Sequence, residues 1–244
     1  RFRDGKVTRH LPYFAFKGDY LFSRKSVRLE YGGRVYHDFS EEVSGHFSLR
    51  KLALKAQGDR WTWTVGAQEV AWGETFGIFI ADIVNPRDLR DPLFNELSWI
   101  KVPVVCSNLQ YYRDPWYAQM IITPVPRRTR FPGRDSEFNL FPKEYEGIPS
   151  ATHKRYSVRR FGKDAEFGGR VGYLFDNGVD ASFTYYRHWN RNAVYQFNGS
   201  SFEPWVKRVH SLGGSFSYAM QSFVIRGDVL LHTRHPVATS PLAA

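Results

Sequence analysis

The chain has 244 residues, 42% of them hydrophobic and 17% aromatic, and it carries a formal net charge of +10 at pH 7. Its mean hydropathy is −0.45 and it has no long apolar run, which excludes a transmembrane helix. Because a strand of a membrane barrel needs only about 9–11 residues and one apolar face, this polar average does not exclude the membrane.

The first predicted element is a hairpin around a turn at residues 23–26. Apolar residues alternate with other residues on both sides of that turn, and this period of two predicts strands. The apolar positions are Phe14, Phe16, Tyr20 and Phe22 before the turn and Val27, Leu29, Tyr31 and Val35 after it. When the two segments pair across the turn, these side chains share one face.

Two weaker hairpins come next along the chain. The apolar residues that meet in them are Leu52 and Leu54 with Trp63 and Val65 across residues 57–60, and Val105 and Leu109 with Ile122 and Ala118 across residues 112–115. In both hairpins the apolar side chains again fall on one face of the pair.

The clearest hairpin surrounds Asp176-Asn177-Gly178. A left-handed conformation at Gly178 closes a three-residue hairpin loop. The predicted pairs are then Phe175 with Val179, Tyr173 with Ala181, and Val171 with Phe183. A slip of one residue would turn the second apolar set to the opposite face, so the agreement supports this register.

The last predicted hairpin is joined by Gln221 and Ser222. Its apolar residues are Leu212, Phe216, Tyr218 and Met220 before the turn and Phe223, Ile225, Val229 and Leu231 after it. Five hairpins of this kind predict about ten strands.

The connections between the hairpins are much longer than the turns within them. They cover residues 40–45, 73–101, 125–164 and 190–204, and most exceed the usual loop length of about 4–6 residues. Short turns at one end and long loops at the other are typical of outer-membrane barrels, whereas a soluble sandwich spreads its long loops over both ends. We therefore predict one all-β domain over residues 1–244, an antiparallel transmembrane β-barrel with long loops at 73–101 and 125–164.

This topology also places residues 1–13 and 235–244 at the long-loop end. Complete bacterial barrels keep both ends of the chain at the short-turn end. The expectation is therefore that the ten strands are part of a larger barrel.

The faces opposite the apolar ones carry charges of both signs. They are Lys17, Asp19, Arg28, Glu30, Arg34, Glu166, Arg170, Asp180, Arg226 and Asp228. A Lys or Arg on the lipid side costs about 2–4 kcal/mol at mid-membrane, so these residues are predicted to face the lumen. They could line a channel, or they could fill a closed interior with cross-strand ion pairs.

Three motifs carry a family resemblance: Gly66-Ala67-Gln68, Trp72-Gly73 and Asn85-Pro86-Arg87-Asp88. With the segments 167–174 and 183–187, they resemble an uncharacterised porin-like outer-membrane barrel family of Gram-negative bacteria. The resemblance implies a large barrel in the outer membrane, longer than this chain, with no established chemistry. A fainter resemblance is to alginate-export barrels, whose basic lumen conducts a polyanionic polysaccharide.

The loop at residues 73–101 is a candidate constriction. Pro86 biases Asn85 towards an extended conformation, and Asn85 and Asp88 can cap backbone amides. The hypothesis is that this loop folds inward and narrows the pore, and that aromatic residues anchor it; the alternative is an ordinary structured loop. The candidate residues are Trp72, Asn85, Asp88 and Trp99, with Phe76 and Phe79 as further aromatics.

The densest positive charge lies in the loop at 125–164. Arg127, Arg128, Arg130 and Arg134 are candidates for binding anions or partners, because guanidinium groups suit phosphate and carboxylate. Lipopolysaccharide phosphates, an acidic solute or an acidic partner protein are the possible ligands. The alternative is a solvated loop.

Other classes of function receive less support. Nucleic-acid binding needs aromatic and basic residues on one face, whereas here they segregate to opposite faces. No catalytic motif is present, and ion pairing to Arg170 is favoured over catalysis for Glu166 and Asp180. The lone Cys106 is expected to be a buried or lipid-facing thiol. Neither catalysis nor a metal or cofactor is expected.

The leading interpretation is a porin-like outer-membrane barrel that acts as a solute conduit or as the scaffold of a membrane complex. Its expected partners are outer-membrane lipid and lipopolysaccharide and, for the scaffold, other subunits of a membrane complex; nucleic acid is not expected. The alternatives are an exporter of an anionic polysaccharide and a soluble carbohydrate- or nucleic-acid-binding β-protein.

Overall fold

The computed structural model describes residues 12–22, 26–37, 45–75, 80–90, 99–131, 160–191, 194–197 and 202–234. These ranges contain twelve strands: β1 (Tyr13–Leu21), β2 (Val27–His37), β3 (Gly45–Gln57), β4 (Trp61–Gln68), β5 (Val104–Arg113), β6 (Trp116–Thr123), β7 (Glu166–Leu174), β8 (Val179–Trp189), β9 (Val194–Phe197), β10 (Phe202–Trp205), β11 (Arg208–Ala219) and β12 (Val224–Thr233). Within the same ranges, no helix is long and apolar enough to cross a membrane.

Ten of the strands form one antiparallel sheet in the order β1-β2-β3-β4-β5-β6-β7-β8-β11-β12. The prediction of about ten antiparallel strands in an all-β fold is confirmed. The long connection predicted at residues 190–204 contains two short strands, β9 and β10, which pair as a separate two-stranded sheet. These strands have four residues each, which is too short for an alternating pattern to stand out.

The predicted register of the clearest hairpin is confirmed. Tyr173 pairs with Ala181, Val171 pairs with Phe183, and the backbone N–H of Phe175 donates to the carbonyl of Val179. Gly178 has a φ of +83°, the left-handed conformation that the three-residue loop requires. The hairpin of β11 and β12 pairs as predicted too, with Leu212 opposite Leu231 and Tyr218 opposite Ile225.

Strands β1 and β12 are the first and last members of the sheet order. Each of them pairs with one neighbour within the described part of the chain, β1 with β2 and β12 with β11. The observed architecture is therefore a ten-stranded antiparallel sheet, and closure into a transmembrane barrel stays a prediction.

The polarity of the two faces is reversed relative to a sheet in a water-soluble protein: the exposed face is apolar and the buried face is largely polar. The outer face presents exposed apolar side chains, including Phe183 at 58% and Val229 at 68% exposure. The inner face is shielded and largely polar, and its buried members include Thr64, Gln68, Asn108, Thr123, Glu166, Thr184, Ser211 and Ser215. Large apolar residues are normally the ones that a protein in water buries.

The main buried apolar cluster lies on this inner face. Val70, Trp72, Ile83 and Val84, from the connection between β4 and β5, pack against the sheet residues Val104, Cys106, Ile121 and Tyr186. Cys106 is a buried free thiol, as expected. The connection is thus folded onto the inner face of the sheet.

Candidate functional site

The candidate site consists of the inner face and of the inner segment, which we define as residues 69–75, 80–90 and 99–103. Trp72 is its main anchor and is fully buried. The indole ring meets the ring of Tyr186 edge to face, with centroids 5.5 Å apart. Its Nε1 donates a 2.8 Å hydrogen bond to Oε1 of Gln119 on β6. A buried indole needs such a partner, so both the ring and its polar atom fix the inner segment against the sheet.

A row of side-chain amides continues from Gln119 across three strands. Nε2 of Gln119 donates to Oδ1 of Asn108 at 2.9 Å, and Nδ2 of Asn108 donates to Oε1 of Gln68 at 3.2 Å. Nε2 of Gln68 then donates to the carbonyls of Thr64 and Cys106. Because each amide both donates and accepts, the row holds the acceptor for Trp72 in one orientation.

Asn85 ties the two ends of the inner segment together. Its Oδ1 accepts from the N–H of Val70 at 2.7 Å, and its Nδ2 donates to the carbonyl of Val102 at 2.8 Å. The N–H of Val102 donates in turn to the carbonyl of Pro86. The Asn-Pro motif therefore closes the base of the segment with distant amides rather than with local ones.

Asp82 and Asp228 hold the part of the segment that crosses the sheet. Oδ1 of Asp82 accepts from the N–H groups of Trp72 and Gly73 at 2.7 and 3.1 Å, and Oδ2 pairs with Nζ of Lys101. Farther on, Asp228 of β12 accepts from the N–H of Glu74 at 3.0 Å and from Thr75. The segment thus extends from β4 to β12 across the inner face.

A buried ion pair fastens the segment at the long-loop end. Arg191 binds both carboxylate oxygens of Glu166, at 3.0 and 2.8 Å. The same guanidinium donates to the carbonyls of Ile83, Val84 and Arg127. Burial alone would lower the pKa of Arg191, but the Glu166 carboxylate outweighs it and holds that pKa above its usual value. Arg191 therefore links β7, the inner segment and the loop after β6.

The strand register places the ten charged residues predicted to face the lumen on the inner face, opposite the exposed apolar side chains. Among them, Asp19 and Arg28 form an ion pair at 3.5 Å, and Glu30 pairs with Lys51 at 2.8 Å. Whether this face encloses a lumen stays a prediction.

The predicted pairing of Glu166 and Asp180 with Arg170 is wrong. Glu166 pairs with Arg191, which lies beyond the end of β8 and so outside the strand pattern. Arg170 instead pairs with Glu74 at 2.8 Å, because the inner segment brings that carboxylate over β7. Asp180 accepts a 2.8 Å hydrogen bond from the hydroxyl of Tyr117.

Three of the four predicted anion-binding arginines lie in described residues, and Arg134 does not. Arg127 donates to the carbonyl of Pro103, and Arg130 pairs with Asp88 at 3.2 Å. Arg90 also binds Asp88, and these interactions outweigh the effect of burial and hold the pKa of Asp88 below its usual value. Arg127 and Arg130 are exposed, and Arg128 is half-buried.

Trp99 lies against β2 and β3, whereas Trp72 contacts β6 and β8. The guanidinium carbons of Arg34 and Arg50 lie 4.2 and 4.8 Å from its ring centroid. Arg50 also pairs with Glu69 at 3.0 Å. The sequence pattern gave no indication of Arg50 or Glu69, and the other two aromatics of the constriction hypothesis, Phe76 and Phe79, fall outside the described residues.

Within the described ranges, no group of three or more His, Cys, Asp and Glu side chains is arranged to hold a metal ion. The nearest arrangement to a catalytic one is His188, whose Nε2 lies 2.7 Å from the hydroxyl of Ser211, which in turn lies 2.7 Å from Nδ1 of His232. Ser211 is fully buried, so a substrate could not reach its hydroxyl without a rearrangement of the sheet.

Comparisons with known proteins give one distant likeness. No protein-family model matches the chain, and no curated protein matches it. Among solved structures, it is similar to OmpTdeltaL8, the loop L8 deletion mutant of OmpT, an outer membrane protein of Vibrio cholerae. The TM-score is 0.44 and the identity 12%, over 93% of this chain and 69% of the other. Such values are too low to transfer a function, and the resemblance to a particular porin-like family stays a prediction.

The expectation that the chain is not an enzyme is corrected at this point. The comparison with OmpT, an outer membrane protein, gives it no support. That expectation was based on the absence of known catalytic motifs from the sequence. Missing motifs do not decide the matter, because one fold can carry unrelated activities at different sites. A non-enzymatic role is therefore no longer assumed.

Proposed function

We propose that the chain forms a β-barrel, or part of one, in the outer membrane of a Gram-negative bacterium and acts there as a porin-like solute conduit. The observation that supports this most directly is the exposed apolar outer face of the ten-stranded sheet. Monomeric proteins in water rarely expose contiguous apolar patches larger than a few hundred Å². Lipid is the environment in which such a face is stable.

The distribution of charge supports the same orientation. Between the strand ends, the outer positions of the ten described strands carry no Asp, Glu, Lys or Arg. Two outward arginines, Arg187 and Arg208, lie at the long-loop end, where they stack on Phe167 and Trp189. Long cationic side chains are tolerated at such an interface because their charged ends can reach water.

Aromatic side chains support a membrane boundary at the short-turn end. Exposed Trp61, Trp116 and Phe223 lie beside the three turns β3–β4, β5–β6 and β11–β12. The rings of Trp116 and Tyr173 are in contact, with centroids 4.7 Å apart. Girdles of aromatic residues are typical of both edges of the apolar band of an outer-membrane barrel.

The inner segment suits a constriction of such a conduit. It crosses the inner face from β4 to β12, and its charged side chains and those of the sheet would border the remaining path for a solute. A second candidate function is a scaffold within a membrane complex, and the dense anchoring of the inner segment favours it, because a fully occupied interior would not conduct. In either case, Arg127, Arg128 and Arg130 are proposed to contact lipopolysaccharide phosphates or an acidic partner.

The first test is gel migration of the chain extracted from outer membranes, with and without boiling. A faster unboiled band is expected for a detergent-stable membrane barrel. Absence from the membrane fraction together with an unchanged band would overturn the proposal. Conductance of the purified protein in planar lipid bilayers then separates conduit from scaffold, because only the conduit gives discrete current steps.

A further inference from the structure

Strand β3 contains a bulge at the place where it faces the inner segment. Gly32 of β2 pairs with Lys51 and the next residue, Gly33, pairs with Leu49, so Arg50 is the extra residue on β3. A bulge redirects a side chain that regular alternation would send to the opposite face. The contacts of Arg50 with Trp99 and Glu69 show that its guanidinium lies on the inner side, next to Lys51.

The guanidinium groups of Arg34 and Arg50 are both placed on Trp99. Stacking on an aromatic ring uses the face of a guanidinium and leaves the N–H groups on its edge available. Those edges have the geometry that binds the two oxygens of a carboxylate or a comparable oxyanion. Trp99 therefore orders two cationic groups, and the stack itself uses none of the hydrogen-bond donors of Arg50.

Glu69 accepts a hydrogen bond from only one of the guanidinium nitrogens of Arg50. Nη2 of Arg50 binds Oε2 of Glu69, whereas Nη1 of Arg50 and Oε1 of Glu69 are buried without a hydrogen-bond partner among the described residues. A buried polar atom that lacks a partner destabilises the folded chain. The pair is thus incomplete on both sides. Because the Arg50 side chain is 28% exposed, an exogenous oxyanion could take the place of Glu69 on Arg50.

We propose that Arg34, Arg50 and Trp99 form a binding subsite for an oxyanion group, such as a carboxylate or a sulfate, of a solute that enters the conduit. The subsite rests on the proposed function, and it assigns to that function an anionic class of solute. Glu69 is the internal competitor of the solute for Arg50.

The burial and the charges around Glu69 set its pKa, and therefore the pH above which it competes with the solute for Arg50. Burial raises the pKa of Glu69 to about 7, and Asp82 adds to this rise, while Arg50, Lys101 and Lys51 oppose it. From β2, Arg34 and Glu30 also face the cluster. Below neutral pH, Glu69 is protonated and Arg50 is released for the solute; above it, the Glu69 carboxylate holds Arg50.

Calorimetric titration of the whole chain in detergent tests the subsite. The probes are sodium gluconate and sodium sulfate, because both keep their charge between pH 6 and pH 8. If only the form with neutral Glu69 binds, the competent fraction rises from about one tenth at pH 8 to about nine tenths at pH 6. Binding is therefore expected to be about tenfold tighter at pH 6. The probe that binds more tightly shows which oxyanion shape the subsite prefers.

Variants give the sharper comparison. R50Q is expected to abolish binding of both probes, and E69Q is expected to bind at pH 8 as the unaltered chain does at pH 6. R60Q, which removes a positive charge in the turn between β3 and β4, serves as the matched control and should bind normally. Heat-modifiable migration of each variant verifies that it is folded.

The outcomes separate the subsite from the conduit. A chain that conducts in KCl but binds neither probe overturns the subsite alone, as does a folded R50Q variant that binds normally or a pH dependence that persists in E69Q. A chain that binds gluconate through Arg50 but gives no current steps supports the subsite and overturns the conduit.

Discussion

The indole Nε1 of Trp72 donates a 2.8 Å hydrogen bond to Oε1 of Gln119, although the two residues are 47 positions apart in the chain. This bond joins the inner segment to the middle of the sheet, and Tyr186 closes over the other side of the ring. Replacement of Trp72 by Ala removes a large buried ring and leaves Gln119 without its donor. We expect a loss of about 3–5 kcal/mol in the free energy of unfolding. Denaturant titration in detergent measures it.

The control for this prediction is an indole of the outer face. Trp61 is exposed and lies beside a turn, so W61F should change the free energy of unfolding by about 0.5 kcal/mol or less. If W72A is as stable as W61F, the inner segment is not held by Trp72 as the structure indicates.

The ion pair of Arg191 and Glu166 gives a second prediction. Glu166 is fully buried, so R191M leaves a buried carboxylate without its cation. The expected loss is about 3–5 kcal/mol in the free energy of unfolding, whereas removal of both charges in E166Q/R191M should cost less. The single variants E166Q and R191M and the double variant E166Q/R191M form a double-mutant cycle. Additive effects would show that the two side chains do not interact in the folded chain.

The raised pKa of Glu69 predicts a pH dependence of stability. Because the folded state binds the proton more tightly than the unfolded chain does, stability should fall as pH rises from the ordinary pKa of a glutamate to about 7, and then level off. E69Q should lack this fall. The measurement is the free energy of unfolding at several values between pH 5 and pH 8 for both chains. A parallel dependence in E69Q would assign the effect to another group.

The sheet could be predicted from the sequence because its signal is local. Alternation along Val171, Tyr173, Ala181 and Phe183 is a property of neighbouring residues, and a wrong register would have turned one strand over. The bulge at Arg50 could not be predicted, since it interrupts the alternation by one residue and only the partner strand reveals where.

The candidate site was predictable in part. The Trp-Gly and Asn-Pro motifs identified the segment that folds onto the inner face. Its anchors did not follow from the sequence, because Asp82, Gln119 and Arg191 meet it across irregular connections that have no period. Glu74 likewise changed the expected partner of Arg170 once the segment had crossed the sheet.

The outer face gives a prediction that depends on depth in the membrane. Val171 lies in the middle of β7 and is exposed on the apolar face, so V171R would place a charge at mid-membrane. We expect a cost of about 2–4 kcal/mol, measured as the folding equilibrium into lipid vesicles. V179R, on the same outer face but at the short-turn end of β8, is the control and should cost about 0–1 kcal/mol. Equal effects of both variants would argue against a lipid-facing sheet.

The contact between Asp228 and the inner segment predicts how the conduit is narrowed. Asp228 accepts hydrogen bonds from the backbone N–H groups of Glu74 and Thr75 and so ties the far end of the segment to β12. In D228A this tie is lost, whereas the ion pair of Glu74 with Arg170 remains and Trp72 and Asn85 still hold the near end. The loosened end should leave more room on the inner face, and single-channel conductance in planar bilayers should rise.

Loss of one negative charge could also alter the current, and D180N separates the two effects. Asp180 lies on the same face and is hydrogen-bonded to Tyr117, with no hydrogen bond to the inner segment among the described contacts. D180N is therefore expected to shift ion selectivity with little change in conductance, whereas D228A should raise the conductance itself. If both variants change the current in the same way, charge alone explains it and the tie between Asp228 and residues 74–75 does not set the width of the path.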